Sequence, residues 1–329
     1  EVSFDSDLLG DFSIAKRVDV PLYNFAVVVD DHEMKISHVI RGEDHISNTP
    51  KQLLLIEALE FPVPQYAHLP LILGPDRSKL SKRHGATSVG EYRKQGYLPE
   101  ALFNFITLLG WNPGNNHEIF SKKELVQKFS LEKVQKSGAV FDITKLDWMN
   151  GEYIRKLTPE ELLERAKLFL PKNKKSKSYI LKILVLEQLR LKKLSEIGEK
   201  TDYFFKEPEY DKELLRWKDM SNEKLLISLD KSINILSNLN VPSIKRSRYS
   251  YNISKEKIEK IFLKEIGVGD KGKILWPLRV ALSGKKASPG PFEIMEILGI
   301  EESKKRLKAA KEKIGNDIVG IAAGLDDAF

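Results

Sequence analysis

The sequence predicts an α/β fold over roughly its first hundred residues and an all-α array after it. Three observations carry this: short apolar runs bounded by charge or turn formers before residue 74, a helix start set between two of them, and repeated helix starts beyond Pro99. Residues 25–29 (FAVVV) are apolar and β-branched, end in Asp30-Asp31, and read as a first strand. Residues 36–40 read as a second, ending in Arg41-Gly42. Both runs end in charge, as strands do when their ends face a site. In Thr49-Pro50-Lys51-Gln52, Thr49 reads as N-cap, Pro50 as the first helical residue and Gln52 as the partner in a capping box, with the helix running to about Glu60. Residues 68–73 form a third apolar run, followed by the turn formers of 74–79. Strand, helix, strand is the pattern of a parallel sheet, so this part reads as half of an α/β nucleotide-binding domain.

Beyond Pro99 the strand signal fades. Ser121-Lys122-Lys123-Glu124 and Thr158-Pro159-Glu160-Glu161 are capping-box starts followed by apolar residues at helical spacing. Residues 171–178, with lysines at 172, 174, 175 and 177, read as a linker or exposed turn, and 242–254 as another. No repeat with a period of 20–50 residues stands out. A boundary near Leu157 is expected, which gives segments 1–98, 99–157 and 158–329.

Composition narrows the function classes. The chain has 329 residues, 41% hydrophobic, 31% charged and 9% aromatic, enough for a real core and too apolar for general disorder. No apolar run approaches the roughly 18–20 residues of a membrane span. The absence of cysteine excludes a disulfide framework, a thiol nucleophile and a cysteine-held zinc within these residues. A cytoplasmic address is expected. Residues 1–100 carry 11 basic and 15 acidic side chains, whereas the rest carries 43 and 32, so the basic surplus lies away from the first third. That surplus suits a polyanionic partner or a solvated surface. All six histidines lie in the first 117 residues, which directs titratable chemistry there.

The most informative stretch is GPDRSKLSKRHGA, residues 74–86. It sets Lys79, Ser81, Lys82 and Arg83 on one loop after a strand: mobile point charges, a hydroxyl donor and a planar fork, suited to phosphate oxygens. Such donors stabilise negative charge that builds on a phosphate during displacement; the bland alternative is a solvated basic loop. Asp30-Asp31-His32-Glu33 and Glu43-Asp44-His45 carry metal-ligating residue types but lack the paired histidines of HExxH, and read as capped or hydrogen-bonded turns, with no metal assigned. In the second half, Lys182, Arg190, Lys192 and Lys193 form one basic cluster. Lys245, Arg246 and Arg248 beside Tyr249 form another, which could neutralise phosphates while an aromatic stacks on an unpaired base. Of Trp111, Trp148, Trp217 and Trp276, most are expected to pack in the core.

KLSKR resembles the KMSKS signature of class I aminoacyl-tRNA synthetases, in the variant of the glutamyl enzymes. The resemblance extends through VPLYNFAVVVDDHEMKISHVIRGEDHISNTPKQ (20–52), YAHLPLILGPDRSKLSKRHGA (66–86), VFDITKLDWMNGEYI (140–154) and PLRVALSGKKASPGPFEIMEILG (277–299). All four look like bacterial glutamyl-tRNA synthetase, in the right order and nearly end to end. The resemblance implies that 1–98 is the second half of a Rossmann-type class I catalytic domain with its KMSKS-like loop. It makes 99–157 a stem-contact region and 158–329 a helical anticodon-binding region. It implies roles too: Arg41 and Tyr23 on glutamate, Asp44 and Ile72 near the ribose and adenine of ATP, Lys82 on the ATP phosphates with Lys79, Ser81 and Arg83 beside it. Val27 stands where several members have asparagine, and Asp19-Val20-Pro21-Leu22-Tyr23 lacks a glycine of the family pattern. His45-Ile46-Ser47-Asn48 is not the HIGH motif, which the family carries far upstream.

A chain of this kind that begins at Glu1 is expected to lack its amino-terminal part, with the HIGH histidines and the zinc site of some members. The implied function is glutamate–tRNA ligase, using ATP with Mg2+, L-glutamate and tRNA(Glu), with tRNA bound before activation. The segment by itself is expected to be inactive, and to be a monomer. Two other functions stay open: a tRNA-binding module without catalysis, and a metal-dependent phosphotransferase built on the Asp30 and Glu43 clusters.

Overall fold

The computed structural model of the chain describes residues 3–5, 9–85, 88–239 and 253–326, with side chains to 315. It comprises two compact units, residues 1–150 and 151–329, which divide inside one helix; Leu157 falls in the turn after that helix. The architecture is α/β followed by all-α.

The first unit opens with a small antiparallel pair, β1 (Ala15–Arg17) and β2 (Val20–Pro21). Next comes α1 (Tyr23–Glu33), where the sequence reading placed a strand. A run of five apolar residues fits either element, and tertiary packing decides it. Val28 of α1 is buried against Leu55 and Ile56 of α2 (Thr49–Ala58), with Phe25, Leu59 and Phe61 around them. Asp30 and Asp31 are therefore helical residues and do not mark a strand end.

The end of α1 was hidden because its stop signal lacks glycine. Ile36 N–H donates to the Asp31 carbonyl (2.9 Å) and Lys35 N–H to that of His32 (3.0 Å), a Schellman arrangement with Lys35 left-handed at φ 55°. Helix α2 ends in the same way: Phe61 N–H bonds the Ile56 carbonyl, Glu60 N–H that of Glu57, and Glu60 has φ 56°. In α3 (Val89–Lys94) the same pair of bonds surrounds Gly96, the usual residue for the position.

Strand β3 (His38–Gly42) pairs in parallel with β4 (Gln65–Leu69) across α2, in a register that sets Arg41 opposite His68. The expected capping box of α2 does not form. A 3-10 turn over Glu43–Asn48 runs straight into the helix, so Asn48 is already helical and Thr49 lies inside. The Gln52 side chain donates to Asn24 Oδ1 (3.0 Å). Strand β5 (Ile72–Leu73) pairs in parallel with β6 (Ala139–Val140), a two-residue strand too short to show in the sequence.

Helices α4 (Pro99–Gly110), α5 (Lys122–Lys128) and α6 (Ile143–Arg155) complete the unit. Tyr92, Tyr97, Leu102, Phe105, Leu146 and Met149 form its helical core, and Trp111 packs with Phe120 and Leu125. Trp148 is exposed. The Ser121 capping box forms as expected, Glu124 N–H bonding Ser121 Oγ and Ser121 N–H bonding Glu124 Oε2 (3.2 and 2.7 Å).

The second unit is helical: α7 (Pro159–Ala166), α8 (Lys177–Gln188), α9 (Glu196–Thr201), α10 (Asn222–Ser237), α11 (Lys255–Ile266), α12 (Gly272–Ser283), α13 (Pro291–Leu298) and α14 (Ile300–Asp326). Thr158 caps α7 with Glu161 as expected. Residues 171–176 form the loop before α8, and most of the second linker expected at 242–254 lies outside the described residues. Leu225, Leu229, Phe262, Leu278, Leu282, Met295 and Leu307 belong to one continuous core, against which Trp217 and Trp276 pack half-buried. Among the described residues no helix is long and apolar enough to cross a membrane.

A non-glycine residue in the left-handed region carries a steric cost of about 1–2 kcal/mol. Glu60→Gly should therefore raise stability by about 0.5–1 kcal/mol, part of the relief being offset by the freer unfolded chain. Urea unfolding measures it, and no gain would mean that Glu60 is not strained.

Candidate active site

The carboxyl ends of β3 and β4 gather the groups that can do chemistry. Arg41 leaves β3 and is gripped on three sides by neutral partners. Its Nη2 donates to Thr49 Oγ1 at 2.8 Å, its Nε donates to His68 Nε2 at 3.3 Å, and its guanidinium carbon lies 5.3 Å from the centre of the Tyr66 ring. Because His68 Nε2 accepts, the ring proton sits on Nδ1, a tautomer assigned from the bonding pattern. Burial lowers the pKa of His68, and the charge on Arg41 lowers it further, followed by His45. No carboxylate among the described residues stands within ion-pairing distance of Arg41. The nearest effect is electrostatic: burial raises the Asp31 carboxyl while Arg41 pulls it down. A fixed, unneutralised guanidinium at a strand end is suited to a carboxylate ligand.

Tyr23, at the start of α1, is exposed, and its hydroxyl lies 3.4 Å from His45 Nδ1, which also lies 3.2 Å from Asn48 Nδ2. The 3-10 turn that follows β3 carries Glu43, whose Oε1 accepts from Leu71 N–H (3.2 Å), and Asp44, whose Oδ2 pairs with Lys79 Nζ at 2.6 Å. The Lys79 hydrogen bond is the main cause of a lowered Asp44 pKa. Asp44, Ile72 and the Lys79 loop are thus tied to the strand end that bears Arg41.

The loop is a short hairpin. Leu73 bridges antiparallel to Lys79, Leu80 N–H donates to the Ile72 carbonyl and Gly74 N–H to that of Ser78. Three residues close it: Pro75 and Asp76 make the turn, with Arg77 N–H on the Gly74 carbonyl, and Arg77 is left-handed at φ 60°. A 3-10 turn over Lys82–His84 follows. Asp76 accepts from Ser78 N–H (3.0 Å) and Ser78 Oγ–H (2.8 Å), and lies 3.2 Å from His84 Nε2 and 3.5 Å from Arg83 Nη2. These contacts, Ser78 first and His84 after it, hold the Asp76 carboxyl down to about 2. Arg83 Nη2 also donates to Ser78 Oγ (2.7 Å), and Ser81 N–H donates to His84 Nδ1 (3.1 Å). Lys82 is exposed and has no partner among the described residues.

Sequence reading singled out Arg41, Tyr23, Asp44, Ile72, Lys79, Ser81, Lys82 and Arg83, and all eight lie in the first unit around this strand end and loop. It missed Thr49 and His68 as clamps on Arg41, and Asp76 and His84 as the inner side of the loop. Only the Pro-Asp turn signal could have pointed to Asp76.

In the second unit Lys182 is an exposed residue of α8, and Lys192 is exposed beyond that helix with Lys193 half-buried beside it. Arg190 is committed in part: its Nη1 lies 3.2 Å from Glu187 Oε2, a carboxyl that burial pushes up and Arg190 draws back down. Lys245, Arg246, Arg248 and Tyr249 lie outside the described residues. No group of three or more histidines and carboxylates converges on a cation site among the described residues.

Comparison with known proteins gives a consistent picture. Residues 1–148 match the family described as tRNA synthetases class I (E and Q), catalytic domain, and residues 161–311 match an anticodon binding domain. Glutamate–tRNA ligase 1 of Caldanaerobacter subterraneus subsp. tengcongensis is 43% identical over 325 residues, covering 97% of this chain and 66% of the relative. The glutamate–tRNA ligase of Carboxydothermus hydrogenoformans is 43% identical, covering 93% and 63%. A crystal structure of a glutamate tRNA ligase from Elizabethkingia meningosepticum, in complex with its amino acid, superposes with a TM-score of 0.78 at 32% identity, over 94% of this chain and 63% of that one. That of glutamate–tRNA synthetase from Elizabethkingia anophelis gives 0.74 at 33%. The chain spans just under two thirds of the length of these relatives.

Two outcomes test the geometry. Because its folded pKa is lowered, His68 favours the neutral ring: its contribution to stability is present above pH 6.5 and is lost as pH falls through its folded pKa. NMR titration should place its midpoint below 6.5, and Arg41→Gln should move it only part of the way back, since burial is the larger cause. A midpoint at or above 6.5 would remove the Arg41 clamp from the account. Separately, a Cβ at Gly74 would meet the His84 ring at 2.9 Å. Gly74→Ala should displace His84, seen as new ring chemical shifts, without unfolding the unit.

Proposed function

The chain belongs to the class I tRNA synthetases of the glutamate and glutamine type, and on that premise we propose that it is part of a glutamate–tRNA ligase. In this reading a glutamate carboxylate oxygen attacks the α-phosphorus of ATP and the bond to the β-phosphate breaks. Glutamyl-adenylate and pyrophosphate result. A ribose hydroxyl at the tRNA terminus then attacks the activated carbonyl, and AMP leaves.

The observation that carries the reading is the uncompensated guanidinium of Arg41, joined through the Asp44–Lys79 ion pair to a loop of phosphate-binding side chains. Arg41 holds a carboxylate of glutamate, with Tyr23 lining the same pocket. Asp44 and Ile72 face ribose and adenine. Lys82 takes charge from the departing pyrophosphate, and Lys79, Ser81 and Arg83 share it. Holding the two reactants in line removes the entropy cost of a bimolecular encounter, which is the other main source of rate.

The donor set supports no protein-built metal cage, since no three ligands converge among the described residues. Mg2+ enters this reading with ATP, and the steps assigned to the chain are made by its own side chains. The helical unit takes tRNA(Glu), through phosphate contacts by Lys182, Arg190, Lys192 and Lys193 and, farther along, Lys245, Arg246 and Arg248, with Tyr249 stacking on an unpaired base. A cytoplasmic, monomeric enzyme goes with this substrate set.

Glutamate-dependent exchange of pyrophosphate into ATP, with and without tRNA, tests the reading on the complete gene product. Exchange is expected with tRNA present, and Lys82→Ala should lower it by about 10²–10³-fold. Arg41→Lys should raise the KM for glutamate more than that for ATP, because a lysine cannot form the bidentate pair. Exchange lost in Asp30→Ala but kept in Lys82→Ala would overturn the assignment.

A further inference from the structure

Asp76 carries no role in the reaction outlined above, yet it is the most connected side chain of the loop. An aspartate two residues before a serine commonly accepts from that serine's N–H, and Ser78 supplies this local bond. The other contacts come from across the loop. His84 Nε2 lies 3.2 Å from one carboxylate oxygen and Arg83 Nη2 lies 3.5 Å from the other, while Arg83 also grips Ser78 Oγ. His84 is largely buried, its ring stands against Gly74, and Ser81 N–H is bonded to its other nitrogen. That bond makes Nδ1 the acceptor and puts the ring proton on Nε2, which lies 3.2 Å from Asp76 Oδ1 without being aligned for a hydrogen bond to it.

The residues on either side of Lys82 are thus both fixed. Ser81 is held by its backbone N–H and Arg83 by its guanidinium, and both constraints pass through Asp76 or the histidine it faces. The Lys82 side chain has no partner among the described residues, while the backbone that aims it is held.

We propose that Asp76 is a positioning residue for the phosphate-binding loop, clasping the hairpin tip to the Lys82–His84 turn so that Lys82 is presented to pyrophosphate in advance of binding. The inference rests on the reading of this loop as a phosphate site. Its sign separates it from electrostatics. A carboxylate near a phosphate site repels the ligand, so if charge were its only effect, removing Asp76 would tighten binding. If Asp76 positions the loop, its removal loosens binding, because the ordering of the loop must then accompany it.

The test uses the complete gene product and inorganic pyrophosphate as probe, with affinity measured by calorimetry for wild type, Asp76→Ala, Asp76→Asn and Lys82→Ala. Asp76→Ala should weaken binding at least roughly tenfold, the scale of losing charge-assisted hydrogen bonds. Asp76→Asn, which keeps an acceptor for Ser78 and loses the charge facing Arg83, should fall between. Nitrogen NMR of His84 should report the Nε2–H tautomer in wild type and altered ring signals in Asp76→Ala, with the unit still folded by circular dichroism. Binding by Asp76→Ala equal to or tighter than wild type, with Lys82→Ala weakened, would overturn the positioning role alone. Wild type and Lys82→Ala binding alike, or neither binding, would overturn the phosphate site and the inference with it.

Discussion

The parallel register that sets Arg41 of β3 opposite His68 of β4 determines how the rest of the first unit is used. A guanidinium at a strand end normally draws a carboxylate, and a paired arginine has little left to offer a ligand. Here the three nearest partners are a hydroxyl, a neutral imidazole and an aromatic face, each of which orients the group without neutralising it. The lowered basicity of His68 is part of the same arrangement, since a protonated ring could not accept from Arg41. Thr49 can act as a clamp because the 3-10 turn merges with α2 and leaves its hydroxyl free of capping duty.

From that fixed point the loop is reached through one ion pair. Asp44 and Lys79 are 2.6 Å apart, but the side chains are 37% and 61% exposed, a setting in which ion pairs contribute about 0–1 kcal/mol. Such a contact can be exchanged for phosphate oxygens at little cost. The inner contacts of the loop are of another kind: a largely buried histidine, a left-handed residue and a proline turn define its shape without any ligand. The outer cations are exchangeable and the inner frame is fixed, a combination that suits binding without large reorganisation.

The helical unit follows a different logic. Its stability rests on a continuous apolar core, and the strongly buried carboxylate of Glu187 is met by Arg190 and by the hydroxyl of Tyr203. Arg190 therefore serves the fold before it serves any polyanion, because removing it would leave a buried charge unpaired. Lys182 and Lys192 are exposed on the same unit.

The sequence by itself determined the division into an α/β and a helical part, a strand–helix–strand order around α2, the capped starts of α5 and α7, and the basic loop at Lys79 to Arg83, but its third run at 68–73 spans the end of β4 and the separate strand β5. Each rests on local signals of spacing, capping and turn chemistry. It misread residues 25–29 as a strand, since five apolar residues fit either element and α1 ends on Lys35 where glycine would have announced a helix stop. It could not see β6, whose two residues carry no periodicity, or the clamp of Thr49 and His68 on Arg41, which joins residues 8 and 27 positions away. Asp76 was legible as a turn residue and not as a clasp, because its contact with His84 exists only after the chain folds back. Which groups can be charged, hydrogen-bonded or turn-forming is written in the chain, but which of them meet is decided by strand register and helix packing.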